Sequence, residues 1–104
     1  AAATLSTTMA YSRIDTFNPG VYRAAEYEIS ITGDSGSGME YETTRVSVIH
    51  NGSSAYLVEW GQLCTNNVLA LFDANYVDSE TVELVATALY TNTQFRMYRR
   101  MWDI

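Results

Sequence analysis

Met39–Trp60 reads MEYETTRVSVIHNGSSAYLVEW: two β-branched and aromatic segments on either side of His50-Asn51-Gly52-Ser53. Asn-Gly between two such runs is the strongest short signal for a β-hairpin with a type I′ turn. Both central residues of that turn need positive φ, which Gly adopts freely and Asn adopts better than most residues. The sequence therefore predicts strands over Met39–His50 and Ala55–Trp60 around a two-residue turn. Val46, Val48, Tyr56, Val58 and Trp60 are expected on one face, and Gly61 is expected to mark a bulge or bend.

The same grammar extends in both directions. On the N-terminal side, Tyr22–Thr32 alternates strictly: Ala25, Tyr27, Ile29 and Ile31 against Glu26, Glu28, Ser30 and Thr32. A period of two buries one side of a strand and solvates the other. Gly33–Gly38 is a glycine-rich loop tip, and Asn18-Pro19-Gly20 ends an earlier strand over Tyr11–Phe17. On the C-terminal side, Gln62–Thr65 is a short strand, Asn66-Asn67 a turn, and Val68–Ala74 a strand apolar on both sides. Asn75–Glu80 reads as a polar connection. Thr81–Leu89 alternates again, Tyr90–Thr93 turns, and Gln94–Met101 points Phe95 and Met97 inward and Gln94, Arg96, Tyr98 and Arg100 outward. The apolar end at Trp102 and Ile104 reads as docked. About eight short strands with regular turns predict an all-β fold, a single antiparallel β-sandwich of jelly-roll-like form. Residues 1–10 read as an extended N-terminal arm and 11–104 as the sandwich domain.

Composition narrows the function classes. At 104 residues the chain holds one domain, and 47% hydrophobic residues suffice for a core. Only 17% of residues are charged, against about 25% in an average soluble domain. The six basic residues are all Arg, the side chain suited to planar, fixed contacts. A net charge of −6 argues against a phosphate binder, which needs a basic face, so no nucleic-acid partner is expected. No apolar run approaches the roughly 20 residues of a membrane helix, and no membrane partner is expected. Ala1-Ala2-Ala3-Thr4 lacks the charged start and apolar middle of a signal peptide; without a leading Met, the chain is either processed or an excised segment.

Candidate chemistry is sparse. His50 sits at a strand end beside Ser53 and Ser54, and it reads as a local hydrogen-bonding residue rather than a general base. Cys64, among Leu63, Val68 and Leu69, reads as a small buried side chain. Asp73, Asn75, Asp78 and Glu80 depart from the calcium-loop pattern because Tyr76 and Val77 interrupt it. Asp34 with Ser35 and Ser37 reads as a plain hairpin loop rather than an anion nest. The pairs Glu26/Glu28 and Glu40/Glu42 lie two apart, so each pair shares one strand face. Such pairs can serve glycoside hydrolysis but more commonly form a solvent face or meet Arg across a sheet. No catalytic residue, metal site or cofactor is expected. Eight Tyr and two Trp suit either a protein interface or a sugar platform, with the interface favoured. The candidate contact residues are Tyr11, Arg13, Tyr22, Arg96, Tyr98, Arg100 and Trp102.

Several segments in order, Asp15-Thr16-Phe17, Tyr22–Tyr27, Val46–Gly52, Ala55–Gly61, Leu71–Ala74, Val82–Thr87 and Thr93–Arg99, resemble a small β-domain that recurs in virion structural proteins of tailed phages, especially marine phages of cyanobacteria. The resemblance covers roughly Asp15 to Arg99. It implies a structural or adhesive role in the virion: head decoration or cement, neck, baseplate or tail fibre. It carries no active site to transfer. The partners it implies are further copies of the chain (a trimer is the expectation) and other virion proteins such as a major capsid protein. A receptor- or glycan-binding module of a tail fibre, touching a host surface glycan, is the alternative. The Thr/Ser-rich arm and the aromatic tail depart from the pattern, and an arm of this kind can add a strand to a neighbour's sheet.

Overall fold

The computed structural model describes residues 2–5 and 11–104 of the chain. Strands β1 (Ala2–Leu5), β2 (Tyr11–Phe17), β3 (Tyr22–Asp34), β4 (Met39–His50), β5 (Ala55–Cys64), β6 (Ala70–Asp78), β7 (Thr81–Ala88) and β8 (Thr91–Asp103) follow one another with no helix among the described residues. They form two antiparallel sheets, one of five strands in the order β1-β8-β3-β4-β5 and one of three in the order β2-β7-β6. The fold is the expected all-β sandwich. Of the expected arm, Ala2–Leu5 is β1 and pairs with Thr93–Arg96 of β8; residues 1 and 6–10 lie outside the described residues.

Alternation decides which side chains meet between the sheets. β3 sends Ala25, Tyr27, Ile29 and Ile31 inward, β4 sends Val46 and Val48, and β8 sends Phe95 and Met97. Phe17, Val82, Leu84, Ala86 and Ala88 face them from the smaller sheet. Small Ala residues opposite large rings let the layers interdigitate, as close packing requires. Phe72 and Phe95 meet edge to face with ring centroids 6.0 Å apart, a favoured aromatic geometry.

Several expectations change. The His50–Ala55 hairpin is closed by four residues, Asn51–Ser54, because His50 pairs with Ala55. Asn51 N–H donates to Ser54 O at 3.1 Å, and Asn51 Oδ1 accepts from Ser53 N, Ser53 Oγ and Ser54 N. Among the described non-glycine residues only Asn92 has positive φ, so Asn51 does not supply a type I′ turn; in this loop only Gly52 has positive φ, at 92°. An Asx-type side chain replaces that backbone geometry.

An even-length loop pairs even positions with odd ones, so Val46 opposes Glu59 and Val48 opposes Leu57. Tyr56, Val58 and Trp60 therefore leave the core and face outward, at 55%, 57% and 41% exposure. β5 runs unbroken to Cys64 through Gly61 (φ 65°), close to the expected bend, where the β4–β5 register slips between Thr43 and Arg45.

The stretch Asn75–Asp78 is strand, not connection, because Tyr76 turns in while Asn75 pairs with Glu83. Leu71, expected in a strand buried on both sides, is 55% exposed on the outer face of β6. Finally, β8 already begins at Thr91, and its register against β3 slips between Thr32 and Asp34 beside Asn92, in the left-handed region at φ 56°.

Candidate interaction face

The outer side of the five-stranded sheet is built by register, row by row. Trp102, Ala24, Ile49 and Tyr56 lie abreast on β8, β3, β4 and β5. Next come Arg100, Glu26, Ser47 and Val58, then Tyr98, Glu28, Arg45 and Trp60, then Arg96, Ser30, Thr43 and Leu63. Tyr98 is 80% exposed and Trp102 46%. Such residues lie singly on most soluble monomers, so a contiguous patch of them is a candidate interaction surface.

Polar detail orders this face. The Arg45 guanidinium lies 5.2 Å from the centre of the Trp60 ring, a cation–π contact. Trp60 Nε1–H donates to Ser47 Oγ at 3.1 Å, which fixes the indole across the strand. Arg100 reaches Glu26 at 3.5 Å, an exposed pair of small energetic value. Two hollows open here: one of about 890 Å³ over Ser30 and Thr43, walled by Glu28, Arg45, Arg96 and Tyr98, and one of about 700 Å³ between Trp102, Ile49 and Tyr56.

Of the seven expected contact residues, Arg96, Tyr98, Arg100 and Trp102 fall on this face along β8. Arg13 does not: it lies on the other sheet, bound to Glu83 at 2.8 Å. Tyr22 is half-buried and packs against the core, and its carbonyl is 2.7 Å from His50 Nε2. The Tyr11 side chain lies outside the described residues. Ile49, Tyr56, Val58 and Trp60 were not expected on this face, although the even loop carries the signal that places them here.

The remaining polar residues are structural in their contacts. His50 is 3% exposed; its Nδ1 accepts from Gly52 N–H at 3.0 Å, so the proton sits on Nε2 and goes to Tyr22 O. Phe17 and Tyr76 flank the ring. Glu42, 1% exposed, accepts from Leu69 N at 2.8 Å and from Gln62 Nε2 at 3.0 Å. Glu40 Oε1 accepts from Asn67 N and Nδ2. Together they tie the β5–β6 crossing to β4.

Cys64 is half-buried beside this group rather than in an apolar pocket. Loss of solvent first, and then Glu42 and Glu59, push its thiol up. Asp15 joins the sheets at their rim, accepting from Tyr27 Oη at 2.8 Å and from Arg99 at 2.9 Å. Burial and then Asp15 push the Tyr27 phenol far up, and the Asp15 bond raises Arg99. Asp73 and Asn75 lie on β6, while Asp78 Oδ1 caps Glu80 N–H. Asp34 Oδ1 accepts from Gly36 N–H in the hairpin loop. No cluster of three metal-ligating side chains occurs among the described residues.

No protein-family model and no curated protein sequence matches the chain. Among solved structures, the crystal structure of the tailspike protein of Acinetobacter phage vB_ApiP_P1 is similar across 100% of this chain, with a TM-score of 0.56 and 13% identity. The chain corresponds to 22% of that protein's length. At that identity the likeness is one of fold.

Proposed function

We propose that this chain is a non-enzymatic structural domain of a phage virion, acting as an oligomer that stabilises, decorates or extends the particle through the outer face of its five-stranded sheet. The observation that carries the reading is that face: four abreast rows of Trp, Tyr, Arg and Ile left uncovered among the described residues. Interfaces are enriched in Trp, Tyr and Arg. The tailspike likeness and the low charged fraction agree with it. The polar groups that could have suggested a reaction are engaged otherwise. Glu40 and Glu42 hold backbone, and His50 accepts a backbone N–H. The test is quantitative mass spectrometry of purified particles, with antibody labelling in electron micrographs. Hundreds of copies mean a shell lattice contacting the major capsid protein, a few dozen or fewer a neck or tail position, and absence overturns the proposal.

The second reading, a receptor- or glycan-binding module, draws on the hollow where Tyr98, Glu28 and Arg96 could face a sugar and whose Arg45 wall leans on Trp60. Trp60 is on a strand and 41% exposed, so Trp60→Ala leaves the core intact. Glycan-array binding abolished by that substitution supports this reading, and no binding to any glycan removes it.

A further inference from the structure

Two of the four rows of the outer face are complementary to themselves. We propose that two copies of this chain pack through the outer faces of their five-stranded sheets, about a two-fold axis running along the strands between β3 and β4. Such an axis turns each row end for end onto its own copy. The row Trp102–Ala24–Ile49–Tyr56 then meets Tyr56–Ile49–Ala24–Trp102, apolar on apolar. The row Tyr98–Glu28–Arg45–Trp60 meets its reverse, placing Glu28 of each copy against Arg45 of the other and Tyr98 against Trp60.

Within one chain Glu28 and Arg45 are cross-strand neighbours, yet they form no ion pair. The three ion pairs among the described residues are Arg13–Glu83, Arg99–Asp15 and Arg100–Glu26. Arg45 leans over Trp60 instead, and the Glu28 carboxylate is left for a cation from outside. An axis across the strands, centred on the same rows, would set Glu26 over Glu28, carboxylate on carboxylate. The charge pattern selects the first arrangement.

The size suits a small dimer interface. The β3–β4 ladder starts at Ala24–Ile49, and the β4–β5 ladder ends at Glu42–Cys64, opposite Ile31 of β3. At about 3.3 Å per residue and 4.8 Å between strands, the four strands β8, β3, β4 and β5 present about 500 Å² of flat area over that stretch, to which side-chain relief adds. A standard stable interface takes roughly 800 Å² of accessible surface per partner, and the smaller specific ones take less. Aligned sheets stack face to face within about 30° of each other, which keeps the central rows in contact.

Charge exchange provides the test. Glu28→Arg and Arg45→Glu are surface changes, and circular dichroism should show both variants folded. In analytical ultracentrifugation the wild type should sediment as a dimer of the 11.6 kDa chain, and each variant alone as a monomer. Mixed in equal amounts, the two variants should form a heterodimer. One copy then offers two arginines and the other two glutamates, and both contacts are satisfied only between different copies. A wild type that is monomeric or trimeric, single variants that stay dimeric, or a mixture that stays monomeric would each overturn the proposal. The inference deepens the oligomeric part of the proposed function. A dimer that passes the mixing test but is missing from particles would sink the virion reading alone.

Discussion

Glu26/Glu28 and Glu40/Glu42 have the same spacing, the same residue type and neighbouring strands, yet one pair is on the surface and the other inside. Glu28 is exposed on the outer face, while Glu42 is 1% exposed between the sheets. Spacing two guarantees only that the members of a pair share a face. Which face follows from register: Ile31 opposes Glu42 and Glu28 opposes Arg45, so even positions point out on β3 and in on β4. The difference also has a physical basis at the far end of β4. There the chain crosses from one sheet to the other through residues 65–69, and the fully buried Leu69 N–H and half-buried Asn67 N–H would lack a partner without an acceptor. Glu40 and Glu42 supply it.

The contrast breaks most sharply at Glu42. Glu42→Ala leaves the buried Leu69 N–H without its acceptor and takes from the exposed Gln62 amide the shorter of its two carboxylate bonds, at an expected cost of about 3 kcal/mol. Urea unfolding should show this as a lower midpoint. Glu42→Gln keeps one acceptor oxygen and should lose clearly less. Glu40→Ala should fall between, about 1–2 kcal/mol, because Asn67 is only half-buried and water can replace part of what it loses. A Glu42→Ala protein as stable as wild type would mean that the crossing loop is held by the Thr65–Tyr41 bonds alone.

Much of this was legible beforehand, and what failed depends on more than one strand. Alternation along Tyr22–Thr32 and Thr81–Leu89 is a property of a single strand, so the inward sets Ala25–Ile31 and Val82–Ala88 and the outward set of β8 could be read directly. The face of β5 is a property of a strand pair. It depends on the parity of the turn, and placing Val46 with Tyr56 contradicts any even loop, including the expected Asn51-Gly52 turn. That slip hid Ile49, Tyr56, Val58 and Trp60 from the candidate face. The buried carboxylates were illegible for a different reason: their partners are backbone N–H groups some 27 residues away, which no local pattern encodes. Asn75–Asp78 looked like loop because its outward side is polar, and only pairing with β7 makes it strand.

A third carboxylate sharpens the comparison on the smaller sheet. Glu83 is neither sealed nor free; its side chain is 16% exposed and bound by Arg13. The bond from Asn75, then the Arg13 bond and charge, hold its carboxyl below the usual glutamate range, against burial, which pushes it up. A folded-state value below the unfolded one means that the native state keeps this proton off longer. The stabilisation is therefore fully present above the unfolded glutamate value of about 4.3 and is lost as pH falls through the lower folded value. Glu83→Gln should flatten that acid limb in pH-dependent urea unfolding and leave the remaining pH profile in place. An unchanged acid limb would show that Asn75 and Arg13 bind the carboxyl no better than water does.

The smallest effect belongs to Glu26, the outward counterpart of Glu42. Its pair with Arg100 is 3.5 Å long, with the arginine side chain 68% exposed. An ion pair so open gains little, because water solvates both ends and salt screens what remains. Glu26→Gln should change unfolding free energy by less than about 0.5 kcal/mol, and 0.5 M salt should erase the difference. The substitution lies on the proposed contact face, so the measurement belongs at low protein concentration, where association does not add to the apparent stability. A loss as large as that of Glu42→Ala would mean that the outer face of β3 is covered in the folded chain, and the inside–outside assignment of the two carboxylate pairs would fall.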